Sequence, residues 1–210
     1  MRFIFSVLFF ALMTFSLSAQ GFNNGVSGEK TFTFFDKAGR NQATFFSTTP
    51  LEDINGTANG IDGTVSFDVT NIAKTIKGHV KVEVNSMQTG IDLRDSHLKS
   101  PNWLDAETHP EIRFELTGMK DVKSEADNKI SGTATGNFTL HGVTKEISVP
   151  VTFIYLKESE DTKKRAPGDL LGVNSKFNVK LSDYGVQNDI IGNKVAENIE
   201  VTFNVVGTVK

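Results

Sequence analysis

The segment KEISVPVTFIYL, residues 145–156, decides the fold class of this chain of 210 residues. Its apolar side chains occupy every second position, at Ile147, Val149, Val151, Phe153 and Tyr155. This is the pattern of a β-strand that buries one of its two faces. Pro150 has no N–H to donate to a neighbouring strand, so it should mark a bulge or an unpaired position.

The same alternation recurs along most of the chain. It predicts strands at residues 31–35, 42–47, 64–69, 78–86, 111–119, 130–140, 145–156, 172–181 and 198–208. Strands with one polar face are typical of an antiparallel sheet that exposes one face to solvent and buries the other in the core. Eight or nine such strands exceed one flat sheet, and closing them into a barrel removes the aggregation-prone edges. The sequence therefore predicts an all-β protein whose antiparallel strands either pair as a sandwich or close into a barrel of about eight strands, and the barrel is the better match to long strands in meander order.

One segment, near residues 92–106, does not alternate and predicts a short helical interruption. It contains the run RDSHLKS at 94–100, which brings Arg94, Asp95 and His97 close together. Leu98 and Trp103 should point inward from it. We expect this segment to cover one end of the barrel, with these five residues forming its rim.

The N-terminal end carries the pattern of a secretory signal peptide. Arg2 supplies a positive charge, an almost wholly apolar run follows at 3–17, and small side chains stand at 16–19. Cleavage after Ala19 would leave one domain, residues 20–210, in the periplasm or outside the cell. The apolar run is shorter than the roughly 20 residues that a spanning helix needs. We therefore expect no integral membrane span.

Composition narrows the function classes further. The net charge is −3 and no basic cluster stands out, which argues against binding nucleic acid. The chain has no cysteine, so disulfides and thiol chemistry are excluded. Any membrane contact is expected to be transient, and neither a monomer nor a homodimer is excluded.

The interior of the barrel is the most informative feature for function. Large apolar residues fall in the inward register of different strands and should converge if the sheet closes. The predicted lining residues are Phe67, Val82, Val84, Phe114, Leu116, Phe138, Val151, Phe153, Tyr155, Phe177 and Phe203. Barrels of about eight strands are either filled by side chains or hold one small ligand. Both a solid core and an apolar ligand tunnel are compatible with the pattern.

Catalytic and metal-binding patterns are weak. The four histidines lack the close spacing of a helical metal site, and Ser96 next to His97 is not a hydrolytic pair because neighbouring side chains diverge. The Gly-x-Ser-x-Gly elbow is missing. The prediction is no enzyme, no cofactor and no metal. An enzyme or metal protein acting through the His97 cluster is the alternative, and a solid-core interaction module is another.

Three separated blocks carry a family resemblance. The first is RDSHLKS at 94–100, followed by WLD at 103–105 and HPEIRF at 109–114; the second is GNFTLHGVTK at 136–145; the third is FNVKLSDYG at 177–185. In this order and spacing they resemble the YceI-like family of periplasmic proteins, over about residues 29–207. The resemblance implies a lipocalin-like barrel that holds a polyisoprenoid or another long lipid, as a carrier that does not alter it.

Overall fold

The computed structural model describes residues 21–210, and the predicted signal peptide lies outside the described residues. Within this range eleven antiparallel strands form one sheet. The strands are β1 (Glu29–Thr33), β2 (Gln42–Thr48), β3 (Asp53–Ala58), β4 (Ile61–Asp68), β5 (Lys77–Glu83), β6 (Met87–Gln88), β7 (Glu111–Ala126), β8 (Lys129–Leu140), β9 (Val143–Leu156), β10 (Leu170–Lys180) and β11 (Asn198–Val209).

Helices are few and short. They are α1 (Ile72–Thr75), α2 (Asp92–Lys99) and α3 (Glu160–Lys163), with 3-10 turns at Val84–Ser86 and Leu181–Tyr184. Helix α2 is the predicted interruption, and turns follow it through residue 108. In residues 21–210, no helix combines the length and the apolar character required to cross a bilayer.

Eight of the strands close into a barrel, as the sequence predicts. Their order is β1-β4-β5-β7-β8-β9-β10-β11, and β11 pairs back onto β1. Strand β11 offers the same edge to two partners: β1 pairs with Thr208 and Val209, whereas β2 pairs with residues 200–204. Strands β3 and β6 extend the wall from β2. Strands β2, β3 and β6 therefore continue the sheet from β11, beside the ring of eight strands.

A buried side chain fills the interval between these two ladders on β11. The Asn41 amide accepts a hydrogen bond from the Val206 N–H at 2.9 Å and donates to the Val206 carbonyl at 3.0 Å. It also donates to the Phe34 carbonyl at 2.7 Å. The Asn41 amide thereby replaces the N–H and the carbonyl of a neighbouring strand as hydrogen-bond partners of Val206. It also pairs buried backbone groups that would be costly to leave without a partner.

Pro150 stands where one ladder of the barrel wall ends. Strands β9 and β10 pair from Leu156 opposite Leu170 to Val151 opposite Ser175, and no described pair follows beyond Val151. On its other side Pro150 lies opposite Thr133 of β8. The predicted unpaired position is confirmed. Strands β9 and β10 are therefore not paired from here toward residue 143.

Strand β7 runs seven residues beyond its predicted end at residue 119, and two other segments also differ from the sequence-based prediction. The predicted strand at 78–86 ends at Glu83, and Val84–Ser86 form a 3-10 turn whose first N–H bonds to the Pro110 carbonyl at 2.9 Å. The segment 50–60, expected to be a loop, contains β3. Its sequence, DINGTA, includes Asn-Gly, which usually marks a turn. Pairing with both β2 and β6 outweighs that local preference.

The buried side chains form two clusters, one toward each end of the barrel. The first is centred on aromatic rings, among which Phe32 and Phe67 stack with centroids 5.7 Å apart. The second packs the turns after α2, through Leu104 and Ala106, against Leu140 and Tyr184. One end of the barrel is therefore filled by aromatic rings, whereas at the other end the turns after α2 pack against the second cluster.

Candidate functional site

A cavity of about 480 Å³ lies between the two clusters. Its walls come from both: Val149, Val151 and Val173 belong to the first, and Phe138 and Val179 to the second. Its volume is within the roughly 300–1,000 Å³ range of ligand pockets, and its lining is mostly aliphatic and aromatic. The barrel is thus solid at one end and hollow toward the other.

The exposed fractions of the inward-facing aromatic side chains show which part of the barrel interior is empty. At the solid end, Phe32 and Phe67 are 0% exposed. Phe114, Phe177 and Phe203 also face inward, yet each is only partly buried and each lines the cavity. In a filled barrel these rings would be covered by neighbours. Their accessible surface borders the cavity instead.

Most of the predicted lining residues lie on this wall. Eight of them do so: Val82, Phe114, Leu116, Phe138, Val151, Phe153, Phe177 and Phe203. Their contact with a ligand stays a prediction.

Three predicted lining residues lie elsewhere. Phe67 is fully buried in the solid end, against Phe22 and Phe32. Tyr155 is buried in the same cluster, and its hydroxyl donates to Asp169 at 2.6 Å. Burial, together with this hydrogen bond and the charge of Asp169, raises the pKa of the Tyr155 phenol.

Val84 was predicted to line the tunnel because it continues the alternation of β5. It belongs to the 3-10 turn after that strand and is buried in the second cluster. Val80 and Val82 line the cavity, but the strand ends at Glu83, so Val84 does not line it although it continues the alternation.

Two glycines allow aromatic rings to lie against the wall. A Cβ on Gly56 would come 1.9–2.5 Å from three ring atoms of Phe45, its partner across β2 and β3. A Cβ on Gly136 would come 2.7 Å from a ring atom of Phe114 and 2.3 Å from the Glu115 carbonyl. Both rings therefore occupy space that any other residue would fill. Because the two rings lie over these glycines, they do not project into the middle of the cavity.

The cavity reaches the surface between the β2–β3 turn, α2 and the segment 187–197. Six lining side chains are exposed there: Glu52, Ile91, Leu93, His97, Ile190 and Lys194. We call this opening the mouth. The segment 187–197 is held over β2 because the Ala196 N–H donates to the buried Ser47 hydroxyl at 2.8 Å.

The predicted rim residues gather at the mouth. Arg94, His97, Leu98 and Trp103 line the cavity, whereas Asp95 does not. The Asp95 carboxylate instead accepts hydrogen bonds from the Thr89 N–H at 2.7 Å and its hydroxyl at 2.5 Å. Asp95 thus lies on the helical cap, as expected, and its carboxylate links α2 to Thr89 instead of lining the cavity.

The histidines do not form one cluster, because His79 and His97 line the cavity from β5 and α2, whereas His109 and His141 do not line it. His97 is exposed at the mouth, while His109 and His141 meet edge to face with centroids 5.0 Å apart, away from the lining. Within residues 21–210, no three His, Cys, Asp or Glu side chains are placed to hold a metal ion. The His97 cluster expected from the sequence thus has no metal-binding geometry in the described part of the chain.

Several lining residues were not expected from the sequence. They include Phe45, Ile54, Ile190 and Val195. Phe45 and Phe46 are adjacent apolar residues, so the alternation could not say which one faces inward. Ile54 alternates with polar residues in β3, and this signal could have been used if the segment had not been assigned to a loop. Ile190 and Val195 lie outside the strands and carried no periodic signal.

Comparison with known proteins places the chain in a family. The model of the YceI-like domain matches residues 35–207. A protein of Pseudomonas fluorescens named UPF0312 protein is 32% identical over 157 residues, covering 74% of this chain and 76% of its own length. Protein YceI of Salmonella newport is 28% identical over 198 residues, covering 93% and 96%. The chain belongs to the YceI-like family.

Solved structures agree with the fold. A polyisoprenoid-binding domain from Saccharophagus degradans superposes with a TM-score of 0.62 at 13% identity, covering 88% of this chain and 100% of that domain. At this level of identity the similarity supports the barrel architecture alone. The predicted family and fold class are both confirmed.

Proposed function

We propose that this protein is an exported carrier that holds a long-chain isoprenoid or another lipid in its barrel without altering it. The observation that carries the proposal is the partial exposure of Phe114, Phe177 and Phe203 on the inner wall of a cavity of about 480 Å³. An apolar wall that faces empty space in water gains from any apolar chain that covers it. The export part of the proposal rests on the sequence of residues 1–19.

The energetics favour a lipid chain as the ligand. Each buried methylene contributes about 0.8 kcal/mol, so about a dozen carbons gain roughly 10 kcal/mol before the costs of binding. Because apolar contacts have no preferred direction, the wall should select for the length and girth of a chain. The name of the domain from Saccharophagus degradans adds support, since that domain is a polyisoprenoid binder with the same fold.

The test uses protein purified without detergent, so that a bound lipid is not displaced. Organic extracts of purified protein are examined by mass spectrometry, and uptake of a fluorescent prenyl or fatty probe is measured on the delipidated protein. We expect an extracted lipid and saturable uptake. Repeated preparations that hold no lipid and take up neither probe would contradict the proposal.

A blocking variant shows whether the cavity is the binding site. Leu116→Trp adds a large ring to a cavity-lining position of β7, and Glu115→Trp adds the same ring to the exposed position next to it. Successive strand residues point to opposite faces, so only the first substitution should fill the cavity. We expect Leu116→Trp to lose probe uptake and Glu115→Trp to keep it. Equal uptake by both variants would place the lipid outside the barrel.

A further inference from the structure

We propose that the barrel has a second opening, in its side wall between β9 and β10, and that the apolar chain of the lipid passes through it into the cavity. We call this line the seam: it separates residues 144–150 of β9 from residues 176–180 of β10. The inference rests on the proposed function, because it assigns the route by which the ligand of the cavity enters and leaves. The seam shares no residue with the mouth.

The backbone ladder of the barrel wall is interrupted along the seam. Strands β9 and β10 are paired up to Val151 opposite Ser175, and no described pair follows. On their far sides both strands are paired without a break, β9 with β8 along 143–154 and β10 with β11 along 170–180. Separating β9 from β10 along the seam therefore breaks none of the described backbone pairs, whereas separating either neighbouring ladder would break several.

The strand edges at the seam can be left unpaired at little cost. The Tyr155 N–H bonds at 2.8 Å to the residue before β8, and backbone groups alternate in direction along a strand, so the even-numbered residues of β9 direct theirs toward β10. Pro150 is one of them and has no N–H to offer. Thr144, Glu146 and Ser148 are exposed, so water can satisfy their backbone groups.

The cavity lies directly behind the seam. Ile147 and Val149 of β9 line it from one side, and Phe177 and Val179 of β10 line it from the other. These apolar side chains border the seam on its inner face. A lipid chain that slides sideways between the two strands would therefore meet apolar surface along its length, without being threaded end-on past the charged side chains of the mouth.

A second hollow, on the outer face of the wall, adjoins the cavity where the ladder ends. It has a volume of about 500 Å³, and its lining includes polar side chains such as Thr133 and Thr152. Val151 and Ser175 line both this outer hollow and the cavity. At this point the Ser175 hydroxyl donates to the Pro150 carbonyl at 2.7 Å. One side-chain hydrogen bond thus joins the two strands at the first position without a backbone pair.

Side chains also join the strands at the other end of the seam. The Lys145 ammonium lies 3.2 Å from the Asp183 carboxylate and 5.8 Å from the centre of the Tyr184 ring. The His141 Nδ1 donates to the Tyr184 carbonyl at 3.2 Å. Lys145 belongs to β9, whereas Asp183 and Tyr184 belong to the 3-10 turn after β10. Because the side chains of Lys145 and Asp183 are 43% and 49% exposed, their ion pair is weak and can open.

The experiment closes the seam with a disulfide, in a chain that has no cysteine of its own. If the register of β9 and β10 is continued, Ser148 lies opposite Asn178, and both are exposed and outside the cavity lining. Oxidation of the variant Ser148→Cys with Asn178→Cys should slow uptake and release of a fluorescent prenyl probe by about 10-fold or more, and reduction should restore both rates. A short bismaleimide linker replaces the disulfide if the two sulfurs are too far apart to be oxidised.

The matched control is Thr152→Cys with Asn174→Cys, which joins the same two strands where they are already paired. Neither residue lines the cavity, and oxidation should leave both rates unchanged.

A second variant opens the seam instead of closing it. Lys145→Gln removes the ion pair with Asp183, and we expect uptake and release of the probe to accelerate together by about 2- to 5-fold, since a passage acts on both directions alike. Lys176→Gln is its control. It removes another exposed lysine, whose 2.8 Å ion pair with Glu200 spans the continuous ladder between β10 and β11, and it should leave the rates unchanged.

The outcomes separate this inference from the carrier proposal. If the cross-linked Ser148 and Asn178 variant exchanges the probe as fast as its reduced form, the seam is not the route and the carrier proposal stands. Equal slowing by both cross-links would show a general effect of stiffening the barrel, and would also overturn the seam. If no form of the protein, the wild type included, takes up the probe, the carrier proposal falls and this inference with it.

Discussion

Phe153 and Phe67 lie with their ring centroids 6.4 Å apart, at the boundary between the hollow and the solid parts of the barrel. Phe153 lines the cavity, whereas Phe67 does not and is 0% exposed. The contact between these two rings is therefore part of the cavity floor. Residues on the two sides of this floor should respond differently to substitution.

The first prediction compares two truncations across the floor. Phe67→Ala should lower the free energy of unfolding by about 3–5 kcal/mol, because it removes a fully packed ring. Phe114→Ala should cost about half as much, since its ring already borders empty space. Denaturant unfolding of both variants checks this. Equal losses would mean that the cavity wall is as tightly packed as the solid end.

A second prediction concerns the glycine that lies under Phe45. Gly56→Ala puts a methyl group where the ring lies, so the Phe45 side chain must turn away from the wall and reduce the cavity. We expect weaker uptake of a lipid probe. The double variant Gly56→Ala with Phe45→Leu makes room again and should recover uptake. If Gly56→Ala alone binds the probe like the wild type, Phe45 does not limit the cavity.

The third prediction tests the side chain that joins two ladders. Asn41→Ala leaves the N–H and carbonyl of Val206 and the carbonyl of Phe34 without their partner in a buried place. The free energy of unfolding should fall by roughly 2–4 kcal/mol. Asn204→Ala, at an exposed position on the same strand, should change it by less than about 0.5 kcal/mol. Similar values for the two variants would show that water replaces the Asn41 amide.

A fourth prediction is a pH dependence at the solid end. The pKa of the Asp36 carboxyl is lowered from 3.8 to about 2, chiefly because Arg40 donates hydrogen bonds to it at 2.8 and 3.0 Å. The stabilisation is complete above the pKa of the unfolded chain and is lost as the pH falls through 3.8 toward 2.

Asp36→Asn should therefore lower the free energy of unfolding at pH 7 by roughly 1–2 kcal/mol. The difference from the wild type should shrink below pH 4 and disappear only as the pH falls through about 2. Urea unfolding across this pH range measures it. Asp121→Asn removes an exposed carboxylate that accepts no hydrogen bond from Arg40, and it is the control for the loss of one negative charge. A constant difference at all pH values would mean that Asp36 acts through packing alone.

Local patterns were sufficient to predict most of the strands and the helical cap. Each strand with one buried face must alternate, so β8, β9, β10 and β11 could be read from the sequence to within two residues, whereas β7 continues seven residues beyond its predicted end at residue 119. Strand β3 was missed because its Asn55-Gly56 pair resembles a turn. What holds it in the sheet is pairing with β2 and β6, which lie elsewhere in the chain.

The lining of the cavity could likewise be predicted only in part from the sequence. Phe67 and Phe114 have the same alternating surroundings, and nothing local says that one fills the core while the other borders a cavity. The difference depends on how many other rings reach the same level of the barrel. At the level of Phe67, Phe22, Phe32 and Phe153 crowd together. At the level of Phe114, Gly136 takes up no room and the ring lies over it.

The sequence alone determined the all-β class, the closure into about eight strands, the place of the helical cap and the family. These follow from alternation and motif spacing, which are properties of neighbouring residues. Only the tertiary structure decided that the barrel is half solid and half hollow, and that Glu52, Arg94 and Lys194 share one mouth. The reason is physical: the volume of a cavity is the space that side chains from many strands leave unfilled, and no single strand carries that information.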